Sequence, residues 1–240
     1  MRKYINSLLI RYFKKFDEAF LRSFHPYYSD VIRTKGFDEI YDYAIKHTQT
    51  KESLWRRDRF YNLYSSLELV QHLNGDVMEL GCYKGLSSYL LCTRLRELNP
   101  MFTGEGYSIC DSFEGLSNPT DKDQLNQNFS RMFAAPIEVV KKNLDNFPGI
   151  KYHKGWIPNV FKDLSGTTYR FVHIDVDLVE PTMASFEYFY PRLVSGGIIV
   201  CDDYGGKIWE STKKAVDVFC ATHNCQSLRL STGQIMIFKK

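Results

Sequence analysis

The sequence predicts an α/β fold: a mostly parallel, seven-stranded sheet that is flanked by helices and ends in an antiparallel hairpin. One observation is that five short apolar segments alternate with five segments of helical periodicity between residues 77 and 222. Strands separated by helices join through right-handed crossovers and therefore form a parallel sheet. The other is that two β-like runs, at 226–230 and 234–238, flank a short turn containing Gly233. Two such runs around a glycine turn are typical of a β-hairpin.

The individual elements follow from apolar runs, turn residues and helix-start residues. Strands are predicted at 77–80, 107–110, 150–153, 170–174 and 198–201. Helices are predicted at 53–72, ahead of the first strand, and then at 86–98, 136–147, 158–164, 181–193 and 210–222. Pro136 and Pro181 suit helix starts, and Ser195-Gly196-Gly197 is expected to turn into the fifth strand.

A polar segment, 112–135, separates the second strand from the next helix and shows no strong periodicity. It is too long for an ordinary connection between a strand and a helix in a compact domain. Long loops of this kind are usually functional, so the sequence predicts a lid over a binding site.

Residues 1–52 are predicted to form a helical extension in front of a single domain at 53–240. Within 1–24, apolar residues recur at helical spacing and the polar face is basic, which indicates an amphipathic helix. We expect such a helix to pack on its own protein, to cap a site or to join two subunits. A homodimer is the expected assembly, and peripheral contact with an anionic membrane through 1–24 is the alternative.

Composition excludes several classes of protein. The 240 residues suffice for one α/β domain with a sizeable core, and a net charge of +3 is too small to indicate nucleic-acid binding. No apolar run is long enough for a transmembrane helix, and the first residues lack the apolar core of a secretory signal. The six cysteines form no Cys-x-x-Cys pair, which favours reduced thiols in a cytoplasmic protein over zinc or disulfides.

Paired carboxylates follow two of the predicted strands. Asp175 and Asp177 come after the fourth strand, and Asp202 and Asp203 come after the fifth. The carboxyl ends of parallel strands meet at one edge of a sheet, where ligands bind in open α/β folds. Four acids gathered there repel one another unless a cation or a proton separates them. The sequence therefore predicts a divalent metal site used for chemistry on an oxygen atom.

A glycine turn follows the first strand, in the order Glu79, Gly81 and Gly85. Gly81 allows the backbone to turn sharply close to a ligand, and Gly85 precedes a helix whose first amides can meet a negative group. The dinucleotide fingerprint Gly-x-Gly-x-x-Gly is absent, because Tyr83 stands at its second glycine. The second strand ends in Asp111, where an acid can bind both hydroxyls of a ribose. This combination favours S-adenosylmethionine over NAD.

Five segments in this order carry a resemblance to a known family. They are Glu79-Leu-Gly-Cys-Tyr-Lys-Gly85-Leu-Ser, Asp111-Ser-Phe-Glu-Gly-Leu116, Lys154-Gly-Trp-Ile157, His173-Ile-Asp-Val-Asp177 and Gly196-Gly-Ile-Ile-Val-Cys-Asp-Asp-Tyr204. From about residue 54 to 238 the chain resembles the macrocin O-methyltransferase family of the TylF, MycF and NovP type. Members of that family methylate sugar hydroxyls of antibiotics and related glycans. The resemblance implies the Rossmann-like fold of the class I methyltransferases.

The resemblance also implies a reaction and a set of site residues. The reaction is Mg²⁺-dependent transfer of the methyl group of S-adenosylmethionine to a hydroxyl of a sugar, a glycosylated natural product or a polysaccharide. Asp177 is implied as the general base, and Asp175, Asp202 and Asp203 are implied as the ligands of Mg²⁺. The residues implied to bind S-adenosylmethionine are Glu79, Gly81, Gly85, Ser87, Asp111, Ser112, Gly155, Trp156 and Asp175.

Two features leave the acceptor open. Val179 stands where the family often has tyrosine, and the lid carries no recognisable substrate pattern.

His173 lies on the same strand face as Asp175 and is expected to be a packed histidine rather than a base, whereas His153 is a weaker candidate for substrate contact. Three arginines of the helix at 53–72 have a functional role as one interpretation, but charges on a helix usually form a solvated face, and that is the favoured interpretation: Arg56, Arg57 and Arg59.

Three other functions compete with this interpretation. Asp175-Val-Asp177 matches the nucleophile motif of haloacid-dehalogenase-like phosphatases, but that motif follows the first strand and not the fourth. Metal-binding glycosyltransferases use Asp-x-Asp, but they do not need the glycine turn at Gly81. A non-catalytic, methyltransferase-like subunit is the third alternative. The four acids argue against it, because clustered carboxylates without a use only destabilise a fold.

Overall fold

The computed structural model describes residues 36–52, 56–125, 129–164 and 166–240. The amphipathic helix predicted within 1–24 lies outside these residues. The chain divides into two compact units, Met1–Ile40 and Tyr41–Lys240, and the second unit contains all the described strands. None of the described helices is both long and apolar enough to span a membrane.

Six α-helices and seven strands lie in the described part of the chain. The helices are α1 (Phe37–Thr48), α2 (Arg57–Val70), α3 (Leu86–Leu98), α4 (Ile137–Asn143), α5 (Val179–Phe189) and α6 (Glu210–Thr222). The strands are β1 (Asp76–Leu80), β2 (Tyr107–Asp111), β3 (Lys151–Lys154), β4 (Tyr169–Ile174), β5 (Leu193–Cys201), β6 (Gln226–Arg229) and β7 (Ile235–Phe238).

The seven strands form one sheet in the order β3-β2-β1-β4-β5-β7-β6. Strands β1 to β5 pair in parallel with one another, whereas β7 pairs antiparallel with both β5 and β6. The strand order reverses between β1 and β4, and ligands of open α/β sheets bind outside the carboxyl ends of the strands at such a point. The predicted fold class is therefore confirmed, including the C-terminal hairpin.

Local sequence patterns place most elements correctly. Helices α3 and α6 begin and end at the predicted residues. The segment predicted as a helix at 158–164 is a short 3₁₀ helix, Asn159–Asp163. The described residues of 112–135 form turns and irregular structure, as expected of a loop without periodicity. All six cysteines are free, and four of them are buried: Cys82, Cys92, Cys110 and Cys201.

Helix α4 ends at Asn143, four residues before the predicted end, and the starts of α5 and β5 also differ from the prediction. Helix α5 begins at Val179, two residues before Pro181. Proline is accepted there because the amides in the first turn of a helix have no intrahelical partners. Residues 195–197 lie within β5 and do not precede it. The pairing of β5 with β4 shifts register across this stretch. Such a bulge accommodates extra residues in one strand without ending the strand.

The ends of β4 and β5 are anchored in the core. Phe171, Val172 and Ile174 of β4 are fully buried, as are Ile199 and Cys201 of β5. Aromatic residues of α5 and α6 pack against the same core. Burial of each large apolar side chain contributes about 1.5–3 kcal/mol, so the loops that carry the four acids start from well-packed strand ends.

Candidate active site

A cavity of about 920 Å³ lies at the carboxyl ends of β1, β2, β4 and β5. Most of the residues with a predicted site role line it: Gly81, Ser87, Asp111, Ser112, Gly155, Trp156, Asp175, Asp177, Asp202 and Asp203. Two residues with predicted cofactor contacts, Glu79 and Gly85, are not among its lining residues. His153 also does not line this cavity.

The turn after β1 lies directly against the loop after β4. Gly81 has a φ of +80°, and a Cβ atom added to it would lie 2.0 Å from the carbonyl oxygen of Asp175. Only glycine fits this approach, because it combines a left-handed backbone with the absence of a side chain. The Asp175 amide also donates a hydrogen bond to the Leu80 carbonyl at 2.9 Å. The glycine turn and the first acid pair are thereby fixed to each other.

Asp111 lies at the end of β2 and holds two neighbouring loops. Its Oδ2 atom accepts a hydrogen bond from the Cys82 amide at 2.8 Å, and its Oδ1 atom accepts one from the Phe113 amide at 2.7 Å. A carboxylate has about four acceptor positions, so acceptor capacity is left for a ligand in the cavity. This arrangement is compatible with the ribose contact that the sequence predicts.

The acids after β4 and β5 form two overlapping groups. The carboxylate oxygens of Asp175, Asp177 and Asp203 lie within 4.8 Å of one another. The ring of His173 and the carboxylates of Asp175 and Asp202 form a second group with the same spread. Asp175 belongs to both groups, whereas neither of these two groups of described residues combines Asp202 with Asp203, which the sequence assigns to one ligand set.

Crowding of these carboxylates changes their acidity. Burial and the neighbouring charge of Asp202 raise the pKa of Asp175. Burial and the charge of Asp175 raise the pKa of Asp177 to about 7. The pKa of Asp203 lies well above its usual range, because the group is buried and faces Asp177 and Asp175. Such shifts are the signature of like charges held together, and a bound cation would relieve them.

Asp202 differs from the other acids because it is surrounded by donors. Arg59 donates to its Oδ2 atom at 2.9 Å and Gln234 donates to its Oδ1 atom at 2.8 Å, while the Nε2 atom of His173 lies 3.3 Å from Oδ1. Burial acts to raise the pKa of Asp202, but the charges of Arg59 and His173 outweigh it and lower that pKa. Burial likewise acts to lower the pKa of His173, which Asp202 and Glu79 raise to about 10.

The backbone of Asp177 is held in an unusual conformation. Its φ of +60° is in the left-handed region, which costs a residue with a side chain about 1–3 kcal/mol. Two buried residues hold it there: the Asp177 amide donates to the carboxylate of Asp203 at 2.7 Å, and the Thr212 hydroxyl donates to the Asp177 carbonyl at 2.9 Å. Strain of this kind occurs where a side chain must be aimed at a site.

The donor set fits a hard divalent cation. Mg²⁺ prefers oxygen ligands and is usually held by one or two carboxylates together with water and substrate, and four carboxylates line this part of the cavity. Three of the roughly four acceptor positions of Asp202 face Arg59, Gln234 and His173. One acceptor position, on the Oδ2 atom, has no partner among these three residues. Asp202 can therefore still offer an oxygen ligand to a cation, as can Asp175 and Asp203.

The lid segment forms one wall of the cavity. Phe129 of this segment and Trp209, which follows β5, lie with their ring centroids 5.4 Å apart, and both rings line the cavity. Asp123, which is 4 % exposed, accepts a hydrogen bond from the Val179 amide at 2.8 Å. This bond connects the lid to the first residue of α5, next to the acids that follow β4.

A family model described as macrocin O-methyltransferase (TylF) matches residues 4–232. The chain belongs to this family. The match includes the glycine turn, Asp111 and both acid pairs. The resemblance that the sequence motifs indicate is therefore confirmed.

Two relatives of this chain are named as O-methyltransferases. The chain is 31% identical over 158 residues to a Streptomyces olivaceus enzyme named 8-demethyl-8-(2,3-dimethoxy-alpha-L-rhamnosyl)-tetracenomycin-C 4'-O-methyltransferase, covering 61% of this chain and 60% of that protein. It is 26% identical over 175 residues to the demethyldecarbamoylnovobiocin O-methyltransferase of Streptomyces niveus, covering 68% and 65%. The aligned part thus spans under two thirds of the length of these relatives.

Solved structures of O-methyltransferases share the fold. The structure of the O-methyltransferase NovP superposes with a TM-score of 0.64 at 21% identity and covers 77% of this chain and 80% of that one. The calicheamicin methyltransferase CalS11 superposes with a TM-score of 0.66 at 19% identity and covers 85% and 93%. At these sequence identities the similarity shows the fold alone.

Among the polar residues that contact the site or its loops without being predicted as site residues are Arg59, Asp123, Thr212 and Gln234. The interpretation of Arg59 as part of a solvated face is wrong, because its side chain is 21% exposed and reaches Asp202 across the sheet edge. A signal existed for Arg59, which lies one turn before the buried Leu63 on α2. No local sequence pattern indicates the roles of Asp123 and Gln234, because their hydrogen-bond partners are distant in sequence.

Proposed function

We propose that this chain is an S-adenosylmethionine-dependent O-methyltransferase that acts on a hydroxyl of a sugar or of a glycosylated natural product, with Mg²⁺ as second cofactor. The observation that carries the proposal is the strained Asp177, which stands in a cluster of carboxylates beside the Gly81 turn. Membership of the macrocin O-methyltransferase family supports the reaction type. The named activities of the relatives support a sugar hydroxyl as acceptor.

The cofactor occupies, in this proposal, the half of the cavity above β1, β2 and β3. Gly81, Asp111 and Trp156 line that half, and Asp111 retains acceptor capacity for ribose hydroxyls. S-adenosylmethionine, when bound, supplies a methyl group on a positively charged sulfur. Two methyltransferases of the same fold, one from Bacillus cereus and one from Podospora anserina, were solved with the demethylated product, S-adenosylhomocysteine, bound. Those complexes support the assignment of this cofactor.

Asp177 takes the proton of the acceptor hydroxyl in the proposed mechanism. Its carboxylate lies within 4.8 Å of those of Asp175 and Asp203, so it can accept a proton next to the proposed metal ligands. Mg²⁺ held by Asp175, Asp202 and Asp203 would supply positive charge that favours the deprotonated form of a nearby hydroxyl. The bonds from Asp203 and Thr212 fix the backbone of Asp177, and such positioning is a large part of catalysis of a two-substrate reaction.

The acceptor occupies the half of the cavity on the side of β5 and β7. The rings of Phe129 and Trp209 line it together with Gly205 and Thr232. Aromatic side chains offer large apolar faces at low conformational cost, which suits the C–H face of a sugar ring. TDP-rhamnose is a suitable first acceptor probe, because CalS11, which shares the fold of this chain, is a TDP-rhamnose 3'-O-methyltransferase.

Calorimetric titration with S-adenosylhomocysteine tests the class of enzyme. We expect binding, since the glycine turn and Asp111 form the cofactor half of the cavity. A protein that binds no S-adenosylhomocysteine, with or without Mg²⁺, would contradict the proposal and favour a phosphatase or a glycosyltransferase. Binding without methyl transfer to any sugar acceptor would favour a non-catalytic subunit.

Substitution of the acids separates their roles. We expect Asp175→Asn to abolish Mg²⁺-dependent turnover and to leave the affinity for S-adenosylhomocysteine nearly unchanged, because it removes a metal ligand. Asp177→Asn should lower turnover by about 10²–10⁴-fold while Mg²⁺ still binds. Asp145→Asn, at an exposed acid away from the cavity, is the matched control. Full activity in EDTA would exclude the metal role, and an unchanged rate in Asp177→Asn would exclude this base.

A further inference from the structure

Among the described residues, Glu79 is the most deeply buried acid that the proposed mechanism leaves unused. Its exposed fraction is 0%, and it does not line the cavity. Its Oε2 atom accepts hydrogen bonds from the Ser88 hydroxyl and from the Tyr107 hydroxyl, the latter at 2.7 Å. A buried carboxylate without partners is very costly, so these bonds are part of what keeps Glu79 in the core. Its position speaks against the direct cofactor contact that the sequence predicts.

The other oxygen of Glu79 faces His173. Glu79 and His173 are direct neighbours in the pairing of β1 with β4, and the Oε1 atom of Glu79 lies 3.1 Å from the Nδ1 atom of the ring. His173 is 1% exposed. Because an ionised carboxylate can only accept hydrogen bonds, this contact places a proton on Nδ1 and fixes the plane of the ring.

The far side of the ring faces the acid cluster. The Nε2 atom of His173 lies 3.3 Å from the Oδ1 atom of Asp202, an ion-pair distance rather than a well-formed hydrogen bond. Glu79, His173 and Asp202 therefore form a buried row that crosses from β1 through β4 to the end of β5. The row ends at one of the carboxylates that the proposed function assigns to Mg²⁺.

We propose that Glu79 and His173 are positioning residues for the metal site, and that Glu79 acts there through His173 instead of binding the cofactor. The inference rests on the proposed function in so far as Asp202 is a ligand of Mg²⁺. Residues that orient metal ligands from behind are often worth 10–100-fold in metal affinity. The row, together with Gln234, holds the Oδ1 side of Asp202, and Asp202 lines the cavity beside Asp175.

Titration calorimetry of the full chain with MgCl₂, in the presence of S-adenosylhomocysteine, tests this inference. We expect Glu79→Gln to weaken Mg²⁺ binding by about 10–100-fold and to change the dissociation constant of S-adenosylhomocysteine less than about twofold. His173→Gln should weaken Mg²⁺ binding by a similar factor. The double variant should be little worse than either single one, because residues that act through one contact are not additive.

Tyr107→Phe and Ser88→Ala are matched controls. Each removes one partner of the same carboxylate and leaves the contact between Glu79 and His173 intact, so Mg²⁺ affinity should stay close to that of the unchanged protein. The melting temperature of every variant is recorded, and His173→Gln tests the same contact if Glu79→Gln does not fold.

Three outcomes would overturn the positioning role. One is unchanged Mg²⁺ affinity in Glu79→Gln or His173→Gln. Another is an equal loss of Mg²⁺ affinity in Tyr107→Phe, which would show that the effect comes from general destabilisation of the core. The third is weaker binding of S-adenosylhomocysteine with Mg²⁺ affinity retained, which would return Glu79 to the cofactor. Failure of the unchanged protein to bind Mg²⁺ at all would instead refute the metal role in the proposed function, and the inference with it.

Discussion

Gly81 determines how closely the turn after β1 approaches the loop after β4. A Cβ atom at this position would lie 2.0 Å from the Asp175 carbonyl oxygen, and the residue has a φ of +80°. The position of Asp175 in the acid cluster thus depends on the absence of a side chain at Gly81. The same contact joins the proposed cofactor half of the cavity to the proposed metal site.

Gly81→Ala should lower the free energy of unfolding by about 2–5 kcal/mol. The left-handed backbone costs alanine about 1–2 kcal/mol, and the clash with Asp175 adds about 1–3 kcal/mol. Gly166→Ala is the matched control, because Gly166 also has a positive φ, +66°, but has no atom within 4 Å of an added Cβ. Urea denaturation of both variants measures the difference, and an equal loss in the two would show that the clash is relaxed by movement of the loops.

Among the elements, the lid is joined to α5 by a single buried carboxylate. The residue that precedes α5, Leu178, provides no side-chain hydrogen bond to the helix start. Asp123 of the lid does so instead, with its Oδ1 atom on the Val179 amide, while its Oδ2 atom accepts from the Thr120 amide at 2.6 Å. One side chain therefore caps a helix and connects the predicted lid segment to the start of α5.

Asp123→Ala should release the lid and destabilise the start of α5. Loss of a buried partner leaves the Val179 amide unsatisfied, which costs about 1–3 kcal/mol. Limited trypsin digestion measures the release as faster cleavage after Lys122 or Arg131. Asp121→Ala removes an exposed acid from the same segment and should not change the cleavage rate. If both variants are cleaved like the unchanged protein, the tether does not hold the lid.

At the scale of the whole molecule, the site exists only in the folded chain. Its residues come from the end of β2, from the loops that follow β1, β3, β4 and β5, from the predicted lid segment and from α2. A ligand that binds the folded state alone stabilises it by about 2.7 kcal/mol at a concentration 100 times its dissociation constant. Ligand-dependent melting temperatures therefore report on the assembled site without need of an acceptor.

S-adenosylhomocysteine and MgCl₂ should each raise the melting temperature, and Asp175→Asn should remove most of the response to MgCl₂ while it keeps the response to S-adenosylhomocysteine. The reason is that Asp175 is a proposed metal ligand, whereas the cofactor half also uses Gly81 and Asp111. Differential scanning fluorimetry measures both shifts, with KCl at equal ionic strength as control. A full MgCl₂ response in Asp175→Asn would place the ion elsewhere.

Most of the fold could be predicted because its signals are local. Apolar runs that end in Asp175 and Asp202 mark buried parallel strands, and the alternation of strands and helices selects one topology. The bounds of α3 and α6 follow from their flanking turn residues. Of the predicted extension at 1–52, residues 36–52 are described and contain α1. The role of the extension, the homodimer and the cytoplasmic location stay predictions.

Long-range contacts explain what the sequence missed. Arg59 and Asp202 are 143 residues apart, and Asp123 and Val179 are 56 apart. A local pattern does not reveal which charged residue of a helix faces a distant strand end, so Arg59 was interpreted as solvated. In β5 the bulge at 195–197 depends on pairing with β4, which a glycine-rich stretch does not reveal by itself.

The sequence by itself determined the fold class, the family and the identity of the acids that meet at the carboxyl edge of the sheet. These follow from residue order, since parallel strands bring their carboxyl ends to one edge whatever the details of packing. The tertiary structure decided how the acids differ. Arg59, Gln234 and His173 surround Asp202, Asp203 and Thr212 hold Asp177 in a left-handed backbone, and Glu79 is buried behind the site. The physical reason is that acidity and orientation depend on burial and on neighbouring charges, which only the folded chain brings together.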